Sequence, residues 1–469
     1  MEKFPSGLYT DMYQLTMAQA YFVDGTAGKR AVFDYFFRTI PFQGGYVVFA
    51  GLEDLLDFLE GFSFSPDDIE YLRSLGFRNV FLMELEGFRF RGSVYSVKEG
   101  EPVFPGEPII RVEGRLIETQ VIESGILNIV NFQSLIASKA ARIRSVAGER
   151  HISEFGMRRA HSLASIHAAR AAVIGGCDST SNVLAARRYG LRPVGTMAHS
   201  YIESYEDELT AFRKFASSNP ENCVLLVDTY DTLKSGLPNA IRTAKEMESR
   251  GQKLSGIRLD SGDLAYLARA ARQALDSAGL GYVKIVASNL LDEHLVRSLL
   301  TQGAPIDIFG IGTQLVTGAP DASLDGVYKL AEIDGRPRLK LSDSLSKTTL
   351  PGRKKIVRFS DRKGLFRADA VCLAAEDSIF RMVHPYEPGQ ELDLTPFAGE
   401  ELLGKLMEGG KRTGPPHDVP TIASYAAARL KALPEEHKRL ENPHIYKVGL
   451  TPRLAALRDE LSGRPPKED

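Results

Sequence analysis

Between residues 151 and 335, short apolar runs alternate with helical periodicity, and each apolar run ends in a small polar cluster. About eight such units follow one another, most of them roughly 20 to 30 residues long, the length of one strand plus one helix. The clusters read "SEFGMRRAH", "GGCDSTSN", "VGTMAHS", "LLVDTYDT", "GIRLDSGD", "IVASNLLD", "DIFGIGTQ" and "VYKLAE". This alternation predicts a parallel sheet, and eight units favour its closure into an irregular (β/α) barrel. An open doubly wound sheet is the alternative, although no GxGxxG motif opens the first unit.

The segments on either side of this region have a different pattern. Residues 1–145 mix amphipathic helices with strands between Gly and Pro turns, and residues 336–412 return to β-hairpin patterns such as "KKIVRFSD" and "GLFRADAVCL". We expect these two segments to form one α/β domain with an antiparallel sheet, and residues 146–335 to form the α/β barrel domain. Residues 413–469 are predicted to supply a Pro-rich linker, C-terminal helices and a disordered tail, "SGRPPKED".

Charge and cysteine content restrict the class of partner. The net charge of −2 gives no reason to expect nucleic acid or an anionic membrane as the main partner. Cys177, Cys223 and Cys372 lie far apart, and without a CxxC motif we expect neither a structural zinc site nor a disulfide framework. No apolar signal core begins the chain and no run of about 18 apolar residues occurs, so the sequence predicts a cytoplasmic protein without a membrane span.

The catalytic groups of a (β/α) barrel lie at the carboxyl ends of its strands, which here are the polar clusters. The polar side chains in these clusters are Arg158, Arg159, Asp178, Thr196, His199, Asp228, Asp231, Arg258, Asp260, Asp263 and Thr313. Arginines with Gly- and Thr-rich loops suit phosphate, and carboxylates suit Mg²⁺ or sugar hydroxyls. From the residues alone, phosphate, Mg²⁺ and sugar hydroxyls therefore all stay open as ligands of these clusters.

Several of these residues also have a structural explanation. Asp260 and Asp263 are candidates to cap the helix after "IRLDSGD", and a single histidine such as His199 is more often a packing residue. The motif "GIGT", ending at Thr313, is a tight turn unless its place after the seventh predicted strand makes it a phosphate loop. Arg258 is harder to explain structurally, because an arginine near a strand end between buried residues should point into the barrel mouth and require an anion.

Nine sequence blocks, in order along nearly the whole chain, carry a family resemblance. They are "GLYTDMYQLTMAQAYF", "FDYFFR", "FQGGYVVFAGLED", "EFGMRRAH", "GGCDSTSN", "GTMAHSYIES", "IRLDSGDL", "FGIGT" and "LENPHIYKVGL". Together they resemble the nicotinate phosphoribosyltransferase family. The resemblance implies the type II phosphoribosyltransferase architecture, an α/β domain fused to an irregular α/β barrel, and a homodimer with active sites at the subunit interface.

The resemblance also implies a reaction. Nicotinate is joined to the phosphoribosyl group of phosphoribosyl pyrophosphate, which gives nicotinate mononucleotide and pyrophosphate. Coupled hydrolysis of ATP, with Mg²⁺ as cofactor, makes the enzyme an ATP-dependent ligase of NAD salvage. The expected partners are therefore nicotinate, phosphoribosyl pyrophosphate and ATP.

The family's substrate contacts map onto five residues of this chain. Tyr9, in "LYTDMYQ", matches a tyrosine that contacts nicotinate, reaching across the dimer. Phe155, in "EFGMRR", matches an aromatic ring that stacks on the pyridine, and Arg158 in the same motif is a further substrate contact. Thr196, in "GTMAHS", matches a nicotinate contact. Arg258, in "IRLDSGD", matches a residue at the nicotinate and pyrophosphate site.

The phosphate chemistry of the family maps onto four more residues. His199, in "GTMAHS", matches the histidine that ATP phosphorylates, which would make it a transient phosphohistidine. Thr313 and Gly312, in "GIGT", match contacts to the phosphoribosyl phosphate. Asp260 matches a catalytic position, and Mg²⁺ carried by the substrate phosphates is expected near it.

Other functions stay open at this point. Nicotinamide phosphoribosyltransferase shares the architecture and the histidine chemistry, and quinolinate phosphoribosyltransferase shares the architecture without using ATP. A barrel aldolase or isomerase acting on a sugar phosphate would need a Schiff-base lysine, for which Lys329 is the candidate in these clusters. A protein that binds phosphoribosyl pyrophosphate without consuming it is a third class.

Overall fold

The chain divides into two structural units. Unit 1 combines residues 1–138 with residues 323–469, and unit 2 comprises residues 139–322. These limits differ at both ends from the predicted barrel domain, residues 146–335. The computed structural model describes residues 6–341, 348–387 and 389–463, so the predicted tail beyond Gly463 and part of the predicted hairpin "RPRLKLSDS" lie outside the described residues.

The N-terminal segment alternates helices with short strands. The helices are α1 (Met12–Val23), α2 (Leu52–Gly61), α3 (Pro66–Ser74), α4 (Asn79–Glu86), α5 (Leu116–Val121) and α6 (Glu123–Ala147). The strands are β1 (Arg30–Phe37), β2 (Val47–Val48), β3 (Ser93–Ser96), β4 (Pro102–Val103) and β5 (Ile110–Arg115). The start of α3 shows why the sequence predicts these bounds: the Ser65 hydroxyl accepts from the Asp68 N–H at 3.1 Å, and Pro66 occupies the first turn.

Unit 2 repeats a strand followed by a helix. Its strands are β6 (His151–Glu154), β7 (Ser179–Thr180), β8 (Val224–Leu226), β9 (Gly256–Leu259), β10 (Lys284–Ser288) and β11 (Ile308–Ile311). Its helices are α7 (Ala164–Ile174), α8 (Val183–Tyr189), α9 (His199–Glu203), α10 (Glu208–Ser218), α11 (Leu237–Glu248), α12 (Leu264–Ser277), α13 (Glu293–Thr301) and α14 (Thr313–Val316). A π-helical turn, Thr232–Gly236, precedes α11.

The strands of unit 2 form one parallel sheet in the order β7-β6-β11-β10-β9-β8. The predicted α/β class, with an irregular barrel-type sheet, is confirmed. The predicted number of strands is wrong, because six rather than eight pair among the described residues of unit 2. The cluster "VGTMAHS" forms no strand within these residues, and just before it Pro193 makes a single parallel bridge to Thr180. Since all six strands run the same way, their carboxyl ends lie at one edge.

The C-terminal segment of unit 1 is mostly β-structure. Its strands are β12 (Gly326–Ile333), β13 (Arg336–Pro337), β14 (Lys354–Ser360), β15 (Phe366–Leu373), β16 (Arg381–Val383), β17 (Glu391–Asp393), β18 (Ala398–Glu401), β19 (Gly404–Glu408), β20 (Lys411–Arg412) and β21 (Val448–Leu450). Its helices are α15 (Val419–Ala432) and α16 (Pro452–Leu461).

The predicted antiparallel sheet that joins the N-terminal and C-terminal segments is present in unit 1. It has seven strands in the order β13-β12-β1-β5-β3-β19-β20. The prediction that "VYKLAE" belongs to the eighth barrel unit is wrong. This segment lies in β12, which pairs antiparallel with β1 in this sheet. The physical reason is packing: the rings of Tyr328 and Phe33 stack with centroids 4.8 Å apart on the buried face.

The hairpin strands β14 and β15 depart from the expectation that they extend that sheet. They belong to a separate six-stranded sheet of unit 1, in the order β17-β16-β21-β15-β14-β18. A buried ion pair between Arg358 of β14 and Asp369 of β15 ties the two strands together. Arg358 also pairs with the buried carboxylate of Glu101, so the interior of this part of unit 1 contains compensated charge.

One helical stretch, Leu116–Ala147, is long and apolar enough to meet the length and composition criteria for crossing a membrane. It comprises α5 and α6, and 72% of its most apolar window is buried inside the protein. That burial is typical of a core helix in a folded domain.

The main hydrophobic core of unit 1 is rich in phenylalanine and includes Phe58 and Phe62, whose ring centroids lie 5.2 Å apart in an edge-to-face arrangement.

Candidate active site

Arg258 lies in β9 with its side chain at the carboxyl edge of the parallel sheet. Its neighbours Ile257 and Leu259 are fully buried, whereas its own side chain is 16% exposed. Side chains alternate along a strand, so Arg258 points to the opposite face from these two core residues. The Arg258 Nη2 donates to Asp260 Oδ1 at 2.6 Å. The prediction that Arg258 points into a polar mouth agrees with this geometry.

An aromatic ring lies beside the guanidinium. Phe155 directly follows β6, and the Arg258 Cζ is 5.7 Å from its ring centroid, within cation–π range. A Cβ atom on Gly310 of β11 would lie 2.5 Å from this ring, so only glycine leaves room for it. On Gly312 a Cβ atom would lie 3.0 Å from the Phe155 carbonyl oxygen. The two glycines of "GIGT" therefore accommodate Phe155 as well as forming a turn.

Buried Glu154 supports the backbone next to Phe155. Its carboxylate accepts from the backbone N–H of Gly156 and from the Thr180 hydroxyl, the latter at 2.6 Å. Burial raises the pKa of Glu154, and both hydrogen bonds oppose that shift. The hydrogen bond to Thr180 joins the ends of β6 and β7, which stabilises the position from which the Phe155 ring projects.

The Thr196 hydroxyl lies within contact distance of the Arg258 guanidinium. The Arg258 Nη1 donates to Thr196 Oγ1 at 3.3 Å and to the Met197 carbonyl oxygen at 3.4 Å. Both contacts are long for hydrogen bonds to a charged donor, so they are weak. Three of the predicted substrate residues, Phe155, Thr196 and Arg258, thus lie together within unit 2.

The acidic residues of "IRLDSGD" have separate roles. Asp260 does not cap a helix: its side chain pairs with Arg258, and its N–H donates to Asp228 Oδ2 at 2.8 Å. Asp263 is the N-cap of α12, accepting from the Tyr266 N–H at 3.0 Å. The structural explanation therefore holds for Asp263 and fails for Asp260.

Two other acidic residues named from the sequence do not face this edge with a free carboxylate. Asp231 caps the π-helical turn by accepting from the N–H groups of Leu233 and Lys234 at 3.1 and 2.9 Å. Asp178 precedes β7 and accepts from the Ile152 N–H at the start of β6, at 2.7 Å. It therefore lies at the amino ends of the strands, opposite the candidate site, where it also pairs with Arg144.

His199 is the first residue of α9 and is partly exposed. Its Nδ1 lies 3.1 Å from the Thr229 hydroxyl oxygen, and Thr229 follows β8 next to Asp228. Because Asp228 binds the Asp260 N–H, these contacts connect the imidazole to the Arg258 cluster along the same sheet edge. His199 is therefore not a packing residue of the interior.

The other residues predicted for the site lie at a helix start, on an exposed loop and in unit 1. Thr313 is the first residue of the short helix α14, with Gly312 as its N-cap, and Arg158 is exposed three residues beyond Phe155. In unit 1, the Tyr9 hydroxyl donates to Asn128 Oδ1 at 2.5 Å, and burial raises the pKa of Tyr9.

Lys329, the candidate Schiff-base lysine, does not lie in the parallel sheet. It belongs to β12 of unit 1, where its Nζ is 3.6 Å from a carboxylate oxygen of Glu123. Lys329 therefore does not lie at a strand end of the parallel sheet, where an aldolase mechanism would need it.

Ser288 and Thr229 are two polar residues of this edge that the sequence patterns do not single out. Ser288 ends β10 inside the cluster "IVASNLLD", and Thr229 lies inside "LLVDTYDT". Both follow buried strands, a signal shared with many structural serines and threonines. Only the contacts of Ser288 with Arg258 and Asp260, and of Thr229 with His199, distinguish them.

Two carboxylates at this edge are candidates to hold a divalent cation together with substrate phosphates. Among the described residues, no group of three or more His, Cys, Asp or Glu side chains is arranged to hold a metal by itself. Asp228 Oδ1, however, is buried and has no hydrogen-bond partner within that part of the chain. Mg²⁺ is usually bound by one or two carboxylates plus substrate phosphates, so Asp228 and Asp260 fit such a role.

Three family models match the chain. The model of the nicotinate phosphoribosyltransferase (NAPRTase) N-terminal domain matches residues 8–131. The model of the NAPRTase family matches residues 150–375, and that of the C-terminal domain matches residues 353–458.

Relatives with curated names match over nearly their full length. Nicotinate phosphoribosyltransferase of Bacillus subtilis is 46% identical over 455 residues, which cover 95% of this chain and 92% of that protein. A Mycobacterium tuberculosis protein of the same name is 41% identical over 453 residues, with the same coverage. The Bos taurus protein is 32% identical over 527 residues and covers 97% of both chains.

Solved structures resemble the fold. Human nicotinic acid phosphoribosyltransferase has a TM-score of 0.86 and 31% identity, and covers 96% of this chain and 99% of that chain. Nicotinate-nucleotide pyrophosphorylase of Pyrococcus furiosus has a TM-score of 0.71 and 25% identity, and covers 91% and 95%. The fold, the cluster around Arg258 and these similarities over the full length agree that the chain belongs to the nicotinate phosphoribosyltransferase family.

Proposed function

We propose that this chain joins nicotinate to phosphoribosyl pyrophosphate, forming nicotinate mononucleotide and pyrophosphate, and couples the reaction to ATP through a phosphohistidine at His199. One observation carries the proposal: the Arg258 guanidinium lies beside the Phe155 ring and Thr196 at the carboxyl edge of the parallel sheet. A flat heteroaromatic acid requires an aromatic surface for its ring and a cation for its carboxylate, and this edge supplies both.

Nicotinate is proposed to stack on Phe155 with its carboxylate directed at Arg258. The Arg258 contacts to Thr196 and Met197, at 3.3 and 3.4 Å, are weak enough for a carboxylate to replace them. The Thr196 hydroxyl then becomes available to the ligand. Tyr9 is proposed to complete the pocket from the second subunit of a homodimer, as the family resemblance implies.

The sugar phosphate is proposed to bind at the loop that carries Gly312 and Thr313, with Arg158 as an additional cation. Breaking the bond between C1 and pyrophosphate develops positive charge on the sugar and negative charge on the leaving group. Bound together with the substrate phosphates, Mg²⁺ would supply charge neutralisation for the leaving pyrophosphate, held by Asp228 and Asp260. The nicotinate ring nitrogen then bonds to C1, and no general base is needed because it carries no proton.

His199 is proposed to accept the γ-phosphoryl group of ATP on Nε2. Its Nδ1 lies 3.1 Å from the Thr229 hydroxyl oxygen. In the tautomer that donates from Nδ1 to this hydroxyl, the Nε2 lone pair is available. The bond between the γ-phosphorus and the bridging oxygen breaks, the phosphorus–nitrogen bond forms, and ADP leaves. Water later hydrolyses the phosphohistidine to phosphate. The added negative charge is proposed to order the site around the substrate phosphates.

The test is a transfer assay with purified protein, Mg²⁺, phosphoribosyl pyrophosphate and radiolabelled nicotinate, with and without ATP. We expect labelled nicotinate mononucleotide in both cases and faster formation with ATP. A parallel assay with nicotinamide separates this function from that of a nicotinamide-specific enzyme. Preferential use of nicotinamide, or no nucleotide product from either base, would contradict the proposal.

We also propose that the protein is located in the cytoplasm. Cell fractionation tests this location.

A further inference from the structure

Ser288 closes a ring of hydrogen bonds around Arg258. It ends β10, is 3% exposed, and lies beside β9 in the parallel sheet. Its hydroxyl oxygen accepts from the Arg258 Nε at 2.9 Å, and the hydroxyl donates to Asp260 Oδ1. The same carboxylate oxygen accepts from the Arg258 Nη2 at 2.6 Å. Arg258 of β9, Asp260 just after it and Ser288 of β10 therefore hold one another in a single arrangement.

The ring determines which edge of the guanidinium is available to a ligand. Guanidinium presents five N–H donors in a rigid plane. The Nε donor and one Nη2 donor are used inside the ring, with Ser288 and Asp260. Among the described residues, the outer edge, formed by Nη1 and the second Nη2 donor, makes only the long contacts from Nη1 to Thr196 and Met197. That edge has the spacing for a bidentate contact with a carboxylate.

We propose that Ser288 is a positioning residue that determines the preference of this site for an aromatic carboxylate over the corresponding amide. The proposal rests on the function proposed above. Without the hydroxyl, the Arg258 Nε loses its acceptor, and Asp260 is free to rotate and bind Nε and Nη2 directly. The guanidinium plane then rotates together with the Asp260 carboxylate. Its outer edge is no longer aligned for a bidentate contact with the carboxylate of the ligand. A neutral amide gains less from that edge, so its binding depends less on the orientation.

The test compares Ser288→Ala with the wild type for both bases. We expect the KM and the Kd of nicotinate to rise about tenfold, since a hydrogen-bonded charged group is misaligned. The kcat for nicotinate and the kcat/KM for nicotinamide should stay within about twofold, so the preference for nicotinate falls about tenfold. Calorimetric titration with nicotinate measures the Kd without requiring turnover.

Two further variants separate positioning from general damage. Ser288→Cys keeps nearly the same volume but weakens both hydrogen bonds, so it should follow Ser288→Ala. Ser153→Ala removes another buried strand hydroxyl of the same sheet, which bonds Ser179 at 2.9 Å and does not touch Arg258. This control should leave the KM of nicotinate and the selectivity unchanged.

The outcomes distinguish this inference from the proposed function. If the wild type makes no nicotinate mononucleotide, the proposed function fails. If the wild type is active but Ser288→Ala and Ser288→Cys keep the wild-type Kd and selectivity, the role of Ser288 is refuted. An equal loss of activity with both bases, through kcat alone, also refutes it, because a positioning role requires a change in KM that is specific to the acid.

Discussion

His199 Nδ1 and Thr229 Oγ1 lie 3.1 Å apart, although the two residues come from different strand–helix units of the sequence. The contact joins the start of α9 to the loop after β8, at the carboxyl edge of the parallel sheet. When Nδ1 of such a histidine donates its proton to the threonine hydroxyl, Nε2 keeps the lone pair that can act as a nucleophile. This contact is the structural basis for the first two predictions.

Replacing His199 with alanine should separate transfer from energy coupling. We expect His199→Ala to retain basal phosphoribosyl transfer and to lose the benefit of ATP, because the phosphoryl acceptor is removed while the Arg258 cluster stays intact. The measurement is the rate of nicotinate mononucleotide formation with and without ATP. Equal stimulation by ATP in the variant and the wild type would rule out His199 as the acceptor.

Thr229 should affect the same coupling to a smaller degree. Thr229→Val keeps the shape and removes the hydroxyl, so we expect the stimulation by ATP to fall about fivefold, the equivalent of one hydrogen bond of ~1 kcal/mol. Thr229→Ser keeps the hydroxyl and serves as the matched control. Phosphohistidine formation from γ-labelled ATP gives a direct readout. Identical labelling rates in the valine and serine variants would contradict the role.

Arg258 should contribute geometry as well as charge. In Arg258→Lys the positive charge is kept but the planar fork is lost, so bidentate recognition of a carboxylate fails. We expect the Kd of nicotinate to rise about 10- to 100-fold, as for loss of a charged hydrogen bond. The exposed Arg269 on α12, replaced by lysine, is the control. Unchanged nicotinate affinity in a calorimetric titration of Arg258→Lys would place the carboxylate elsewhere.

Gly310 should be required for the position of the Phe155 ring. In Gly310→Ala the new Cβ atom would lie 2.5 Å from that ring, so the ring must move. Because a displacement of about 1 Å in an active site can cost up to 100-fold, we expect the KM of nicotinate to rise at least tenfold. Gly281→Ala, where the nearest atom would be at 3.5 Å, is the control. Wild-type steady-state kinetics in Gly310→Ala would show that the ring position does not matter.

Glu107 should make the stability of unit 1 fall as the pH rises above 4.5. Burial, followed by the charge of Asp369, raises the pKa of Glu107 well above its ordinary value of 4.5. The folded protein therefore holds a proton that the unfolded chain releases above pH 4.5, and stability is lost as pH rises from there through the folded pKa. Glu107→Gln cannot ionise, so it avoids this loss.

The expected result is a higher melting temperature for Glu107→Gln than for the wild type at pH 8. A gain of about 2 °C would correspond to ~1 kcal/mol in a unit of this size, and it should shrink toward pH 5. Thermal unfolding followed by circular dichroism across this pH range provides the measurement. Glu86→Gln, on the exposed face of α4, is the control. A pH-independent difference between Glu107→Gln and the wild type would contradict the prediction.

Local patterns in the sequence determined the secondary structure and most candidate residues. The capping residues before α3 and α12 act within a few positions of the chain, so Ser65 and Asp263 are readable from the sequence. The rule that polar groups follow parallel strands selected Arg258 and His199 as candidates, and the family resemblance assigned their roles.

Tertiary structure decided what depends on contacts between distant strands. The strand pattern of "VYKLAE" is the same in either sheet, and only pairing with β1 assigns it to unit 1. Likewise the sequence shows Asp178, Asp260 and Ser288 as similar polar residues near strand ends. Their roles differ because hydrogen bonds place Asp178 at the amino edge, and Asp260 and Ser288 around one guanidinium. A hydrogen bond forms only when the donor–acceptor distance falls within a range of a few tenths of an ångström. The packing of neighbouring strands sets these distances, and the order of residues along one strand does not contain that information.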